Sequence, residues 1–314
     1  MVRQFIYILS VIFIIGGLAS CQKSHTFVVD GEVKDGGNGW VYFYSYRNKT
    51  FKLVDSVTFT NGKFQYKGLV EQPVLYGISV RKDEPDPQTF FVGEDSLHLS
   101  FWKTGKEVVV QDSPLNDQYL SMREQAKGAS EQSILRYVHD YKASPVTAFF
   151  VLNDWSWRLD LFTLKLIYSQ LEPSLSDCVY LRNLKLLIDN MEKVQPGKLS
   201  PSLKGISSGD RQQTVLVFFA TWCPDCNSEM PQIKKMADEK KNLRFVGLSL
   251  DTHKAALESF KKEYHSIFIQ IDSDYQGWDS PVVERFAVRW IPTFFLISEN
   301  GRILKTAHTV DELF

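Results

Sequence analysis

Hydrophobic and polar positions change their rhythm along the chain. From His25 to about Asp112, short runs such as "FVVDGEV", "WVYFYSY", "VLYGISV" and "SLHLSFW" are β-branched and aromatic, with Gly or Pro between them. That is the pattern of strands. The clearest element is Val57 to Tyr66, where apolar residues alternate on both sides of Asn61-Gly62, the pair that most favours a two-residue hairpin turn. A small antiparallel sandwich or barrel is therefore predicted over residues 25–112. From Ser113 the pattern turns helical: "SPVTAFFVLNDWSWRLDLFTLKLIYSQL" and "SDCVYLRNLKLLIDNMEKV" are Leu-rich and repeat apolar residues every three or four positions. Residues 113–195 are predicted to form a helical connecting region. The stretch 195–213, rich in Pro, Gly and Ser, reads as a linker.

The last third, residues 196–314, alternates strand and helix. Val215 to Phe219 is a continuous apolar strand followed by a helix from about Pro224. "LRFVGLSLD" and "SIFIQID" are further strands, "THKAALESFKKEYH" is amphipathic, "SPVVERFAV" is a short helix, and "TFFLISENGRILKTA" is a hairpin about Asn300-Gly301. This predicts an α/β sheet with helices on both faces.

The first residues match none of these rhythms. Arg3 precedes an apolar run of 14 residues, Phe5 to Leu18. That is shorter than the roughly 20 residues needed to span a bilayer, and it fits a secretory signal over residues 1–20. Leu18-Ala19-Ser20-Cys21 resembles a bacterial lipobox, which would make Cys21 the lipidated first residue of the mature chain, anchored to a lipid bilayer. The lipid-anchored protein would then sit in the cell envelope. The residues after Cys21 carry no acidic run, which points to the periplasmic side, with the outer membrane favoured. There disulfide chemistry is possible.

Composition narrows the function classes. Hydrophobic residues make up 44% and aromatic residues 13%, enough for real cores and about two domains after Cys21. Lys and Arg number 36 against 37 Asp and Glu, so charge gives no support to nucleic-acid binding. The six His form no HxH or HExxH pattern, and no metal site or cofactor is implied.

Of the four cysteines, Cys223 and Cys226 stand two residues apart in "TWCPDCNSEMP". A structural zinc site needs four ligands, and the other cysteines are Cys21 and an isolated Cys178. An inert disulfide across so small a loop would stabilise weakly. A redox role uses each neighbour. Cys223 falls where a buried strand turns into a helix, beside unsatisfied backbone N–H groups and the positive end of the dipole, which favours a thiolate. Pro224 suits the first helical turn. Cys226 is placed one turn further in, where it can attack a mixed disulfide.

With these residues in place, "VLVFFATWCPDCNSEMP" resembles the thioredoxin superfamily, in particular its TlpA/ResA-like membrane-anchored thiol-disulfide oxidoreductases. The resemblance covers about residues 196–314 and includes Pro231, "VGLSLD" and "DSDYQGWDSPVVERFAVRWIPTFFLISENGRI". It implies a thioredoxin-like α/β fold for the C-terminal part of a multidomain chain. It also implies a redox-active disulfide between Cys223 and Cys226 and a cis proline at Pro292 facing that pair. Cys223 would attack and Cys226 resolve. Pro292 and Ile291 beside it would hold the substrate strand, and Trp222 would shield the sulfurs. The pattern departs from thioredoxin at Val217, where a buried acid is usual, and in the missing "APDF" before the first strand. Glu229 matches a ResA-like active-site glutamate and is either the substitute acid or a solvated helix carboxylate. The segments "VDGEV", "VYFYSY" and "DSVTFTNGKFQYKG" resemble the β-domain of unknown function that often precedes such modules.

The resemblance implies an enzyme acting on a disulfide-containing protein or peptide and recharged by a membrane electron-donor thiol protein. The other reading is a binding or sensing lipoprotein whose β-domain recognises a ligand. Cys178, among Val179, Leu181 and Leu184, reads as a small buried hydrophobe, Asp272 and Asp274 as a plain loop, and Trp155 and Trp157 as core.

Overall fold

In the computed structural model, which describes residues 24–105, 107–203 and 212–314, Asn61 and Gly62 take positive φ values of 50° and 78°. The leader, Cys21 and residues 204–211 of the linker lie outside the described residues. Thr60 and Lys63 exchange two 3.0 Å backbone hydrogen bonds across the turn, as its residues dictate. A Cβ on Gly62 would meet the Val33 carbonyl at 2.7 Å, so the position requires glycine twice over.

The arms of this turn do not continue as a hairpin. β3 (Thr50–Phe59) pairs with β2 (Gly39–Arg47), while β4 (Lys63–Val70) pairs with β1 (His25–Val33). The turn is a corner between two sheets. Phe59 and Phe64 flank it and bury their rings in the space between, which sends the two strands apart. With β5 (Val74–Ser79), β6 (Gln88–Val92), β7 (Ser96–Phe101) and β8 (Val108–Gln111), the sheets read β4-β1-β7-β8 and β3-β2-β5-β6. Every pairing is antiparallel except β1 with β7. Phe27, Phe43, Phe90 and Phe101 fill a core belonging to this sandwich alone.

The helical region comprises α1 (Pro114–Ala126), α2 (Glu131–Asp140), α3 (Pro145–Phe150), α4 (Leu161–Gln170) and α5 (Val179–Lys193). The run predicted as one long helical pattern breaks after α3 into a π-turn, Val151–Trp155, and a 3-10 turn, Ser156–Arg158. Trp155 explains the break: its ring is fully buried and its indole N–H donates to the Ala126 carbonyl at 3.2 Å.

The C-terminal sheet orders its strands β11-β10-β9-β12-β13, with β9 (Gln213–Phe219), β10 (Leu243–Ser249), β11 (Phe268–Asp272), β12 (Thr293–Ile297) and β13 (Ile303–Ala307). β9 lies parallel to β10 and antiparallel to β12, and the strands alternate with α6 (Pro224–Glu239), α7 (Lys254–Tyr264) and α8 (Pro281–Arg285). This is the thioredoxin-like arrangement. β9 sits in the middle and is buried from Thr214 to Phe219, which is why it reads as an unbroken apolar run. In place of a regular first strand, Gly197 and Ser200 donate to the carbonyls of Ile303 and Gly301, and Leu199 bridges Arg302. One continuous apolar core, which also takes in Leu75 and Phe91 of the sandwich, links the helical region to this sheet.

Candidate active site

Cys223 is the N-cap residue of α6, with extended φ and ψ of −88° and 113°, and Pro224 occupies the first turn. Its Sγ accepts the Cys226 N–H at 3.1 Å, so the sulfur sits on an orphan donor at the positive end of the helix. The two cysteines form a disulfide with Cα atoms 5.3 Å apart. Cys226 is wholly buried and Cys223 retains 5% exposure, so Cys223 is the more accessible of the two. Asp225 is exposed in the first helical turn, and α6 runs on through Pro231.

Ile291–Pro292 is a cis peptide bond, and the Ile291 carbonyl oxygen lies 3.7 Å from Cys223 Sγ. Both residues are buried, whereas Trp222 beside the disulfide is 57% exposed and Trp290 is 37% exposed. Thr293 Oγ1 donates to the Trp290 carbonyl at 2.7 Å. His308 Nδ1 lies 3.1 Å from the Pro292 carbonyl. A carbonyl only accepts, so Nδ1 carries the hydrogen there.

Glu229 lies partly buried one turn beyond Cys226 in α6. Its Oε2 accepts the Val310 N–H at 2.8 Å, which ties the helix to the C-terminal segment that also carries His308. Val217 is fully buried in β9. A carboxylate that the sequence reading did not assign lies nearby. Asp251 follows β10, is 2% exposed, and accepts from the Thr221 N–H, from the Thr221 hydroxyl at 2.6 Å and from the Ser249 hydroxyl at 2.6 Å. It fixes the turn that delivers Trp222 and Cys223. Its signal was positional: a polar residue ending a buried parallel strand next to the one that carries the cysteines.

The cis-proline loop is held from outside its own fold. The β2–β3 turn places Asn48 and Lys49 at positive φ, and Lys49 donates to the Arg289 carbonyl, with its ammonium 4.7 Å from the Trp278 ring. Asn48 Nδ2 donates to Asp279 at 2.6 Å, and Lys52 pairs with the same carboxylate. The Arg289 guanidinium donates to the Ser156 carbonyl and, at 2.9 Å, to the Leu159 carbonyl. Burial lowers Arg289 to about 10 and Lys49 to about 8. Asp154, also desolvated, is raised to about 6 despite the opposing pull of Lys49. Trp157, expected in the core, is only partly buried and stacks on Trp290 with ring centres 4.7 Å apart. Cys178 is a buried free thiol whose pKa burial pushes up. Asp274 accepts from Gln276 N–H and the Ser280 hydroxyl, so its carboxylate organises a loop.

Residues 198–312 match the Redoxin family, and residues 27–119 match a domain of unknown function, DUF4369. The C-terminal third is thus similar to a redoxin domain. Over 88 residues the chain is 32% identical to the soluble secreted antigen MPT53 of Mycobacterium tuberculosis, covering 28% of this chain and 48% of that protein. The chain thus spans about half the length of that relative. Over 126 residues it is 28% identical to the thiol-disulfide oxidoreductase ResA of Bacillus cereus, covering 36% of this chain and 70% of that one. The solved structure of StoA from Bacillus subtilis is 28% identical, covers 38% of this chain and 96% of its own, and superposes with a TM-score of 0.29. Among the described residues, no helix is long and apolar enough to cross a membrane.

Proposed function

We propose that the protein is a lipid-anchored thiol-disulfide oxidoreductase of the cell envelope that reduces disulfides in exported proteins. The observation that carries this reading is the disulfide itself. Cys223 caps α6, its sulfur accepts the Cys226 N–H, and the carbonyl preceding cis-Pro292 lies 3.7 Å away. In the reduced protein the Cys223 thiolate attacks one sulfur of a substrate disulfide, the other leaves as a thiolate, and a mixed disulfide forms. Cys226, deprotonated, then attacks Cys223 Sγ and releases the second substrate thiol, so two electrons have passed to the substrate. A membrane thiol protein returns them. Pro292 and Ile291 hold the substrate strand and Trp222 covers the sulfurs. Cys21 carries the lipid, facing the periplasm.

Asp225 supports the reducing direction. Its negative charge beside the nascent thiolate opposes the helix dipole, and a less stabilised thiolate disfavours the reduced pair. The potential is then expected nearer the about −270 mV of thioredoxin than the about −120 mV of a strong oxidant. Insulin reduction, with Cys223→Ser as the control, tests the activity; equal rates for the two proteins would reject it. Redox titration against glutathione tests the direction.

A second reading, ligand binding or sensing by the β-domain, draws on a cavity of about 620 Å³ between the sandwich and the helices, lined by Tyr46, Phe51, Arg81, Tyr119 and Asp154. Full cellular function in a Cys223→Ser/Cys226→Ser variant would favour it.

A further inference from the structure

Trp290 stands immediately before Ile291, whose carbonyl lies 3.7 Å from Cys223 Sγ, and it is 37% exposed. An exposed tryptophan in that place is an aromatic surface within one residue of the reacting sulfur. The structure spends several contacts on holding it. Its ring stacks on Trp157 at 4.7 Å with 24° between planes, and Arg158 places its guanidinium 4.7 Å from the Trp157 ring. Arg158 is itself held by hydrogen bonds of 3.1 Å to the Ala129 and Lys127 carbonyls. The carbonyls of Ser156 and Leu159, which bracket Trp157, both accept from Arg289, the residue before Trp290. From the other side Lys49 donates to the Arg289 carbonyl. Two segments outside the redoxin domain thus fix the backbone and ring of one of its loop residues.

Resting on the oxidoreductase reading above, we propose that Trp290 is a substrate-contact residue and Trp157 its positioning residue, and that together they select disulfides whose cysteine has an aromatic side chain close by. The partner is an extended peptide segment. A strand lying along the cis-proline loop advances about 3.3 Å per residue. An aromatic residue within two positions of the half-cystine then meets the Trp290 ring. Trp222, beside the disulfide, is itself 57% exposed. An aromatic pair adds about 0.5–1.5 kcal/mol beyond area burial, so a preference of roughly 3- to 10-fold is expected.

The test uses the full chain and two peptide pairs in which the residue two positions from cysteine is Trp or Ser. One pair carries a disulfide and reports kcat/KM; the other has Ser in place of each Cys and reports Kd alone. Wild type is expected to favour the Trp peptide 3- to 10-fold in both measurements. Trp157→Ala should bring the ratio towards one, Trp157→Phe should restore most of it, and reduction of hydroxyethyl disulfide should stay within twofold of wild type for both variants. Equal treatment of the two peptides by wild type would overturn the proposal. So would a Trp157→Ala variant that keeps the preference, or one that slows hydroxyethyl disulfide as much as the peptides. Peptide preference in Kd without turnover of any disulfide would uphold the surface and sink the oxidoreductase reading.

Discussion

The Lys49 ammonium donates to the main-chain carbonyl of Arg289, so a turn of the β-sandwich and the cis-proline loop share a charge-assisted hydrogen bond. Lys49 also faces Asp154, and both are desolvated, Lys49 to about 8 and Asp154 to about 6. These shifts have opposite consequences for stability.

Asp154 binds its proton more tightly in the folded protein than at its ordinary value of 3.8, so its contribution is full below that value and is lost as pH rises through about 6. Lys49 releases its proton more readily than at its ordinary 10.5, so its contribution is full above that value and is lost as pH falls through about 8. Between these limits both groups are charged and their joint contribution is least. Unfolding free energy measured from pH 4 to 10 is therefore expected to show a dip between about 6 and 8 relative to a Lys49→Met/Asp154→Asn variant. A difference curve flat across that range would refute the assignment.

Asp251 is expected to matter for the active-site turn without touching substrate. It accepts from both donors of Thr221 and from Ser249. Asp251→Asn turns an amide N–H towards groups that already donate. The expected loss is about 1–3 kcal/mol in urea unfolding of the oxidised protein. Thr221→Val should cost less, and the double variant should cost less than the two losses added together. Strict additivity would show that the two residues do not act through each other.

The distance between partners explains what could be read in advance. Cys223, Pro224 and Cys226 are neighbours, and helix capping needs only local residues, so sequence alone carried that part of the site. The strand patterns of β1 to β5 and β7 and the buried run of β9 were legible for the same reason, whereas β6 drew no reading. The Lys49–Arg289 bond joins residues 240 positions apart, and the Arg289–Ser156 bond spans 133. No local pattern encodes such a meeting, so Lys49 drew no reading and Trp157 read as core. The Asn61-Gly62 turn shows the same limit: its type follows from two residues, but whether its arms pair or part depends on where Phe59 and Phe64 find a core.

If Cys223 is the attacking sulfur, the two cysteines should behave differently when changed singly. Cys226 has no exposure, and Cys223 has 5%. Cys226→Ser leaves a mixed disulfide unresolved, so it should accumulate substrate-linked protein on non-reducing gels, confirmed by mass spectrometry. Cys223→Ser should accumulate none. Equal trapping by both variants would mean that the roles are shared or reversed.

The last expectation concerns the proton that Cys226 must lose when it resolves the mixed disulfide. Val217 is fully buried where a thioredoxin would keep an acid, and Asp251 is engaged by Thr221 and Ser249. Glu229 follows Cys226 by three positions on α6, a spacing that puts the two on one helix face. Its Oε2 accepts the Val310 N–H at 2.8 Å, which holds the carboxylate on the C-terminal segment. Gln at this position keeps an acceptor for Val310 and removes only the capacity to take a proton. Glu229→Gln is therefore expected to leave the fold and the disulfide intact while slowing turnover by roughly 10- to 100-fold, the low end of general acid–base effects. Glu229→Ala would lose the Val310 acceptor as well, and should add a loss of thermal stability that the Gln variant does not show. The decisive comparison is substrate reduction by wild type and Glu229→Gln from pH 6 to 9. Equal rates across that range would leave Glu229 with the Val310 tie alone, and the proton would have to pass to water.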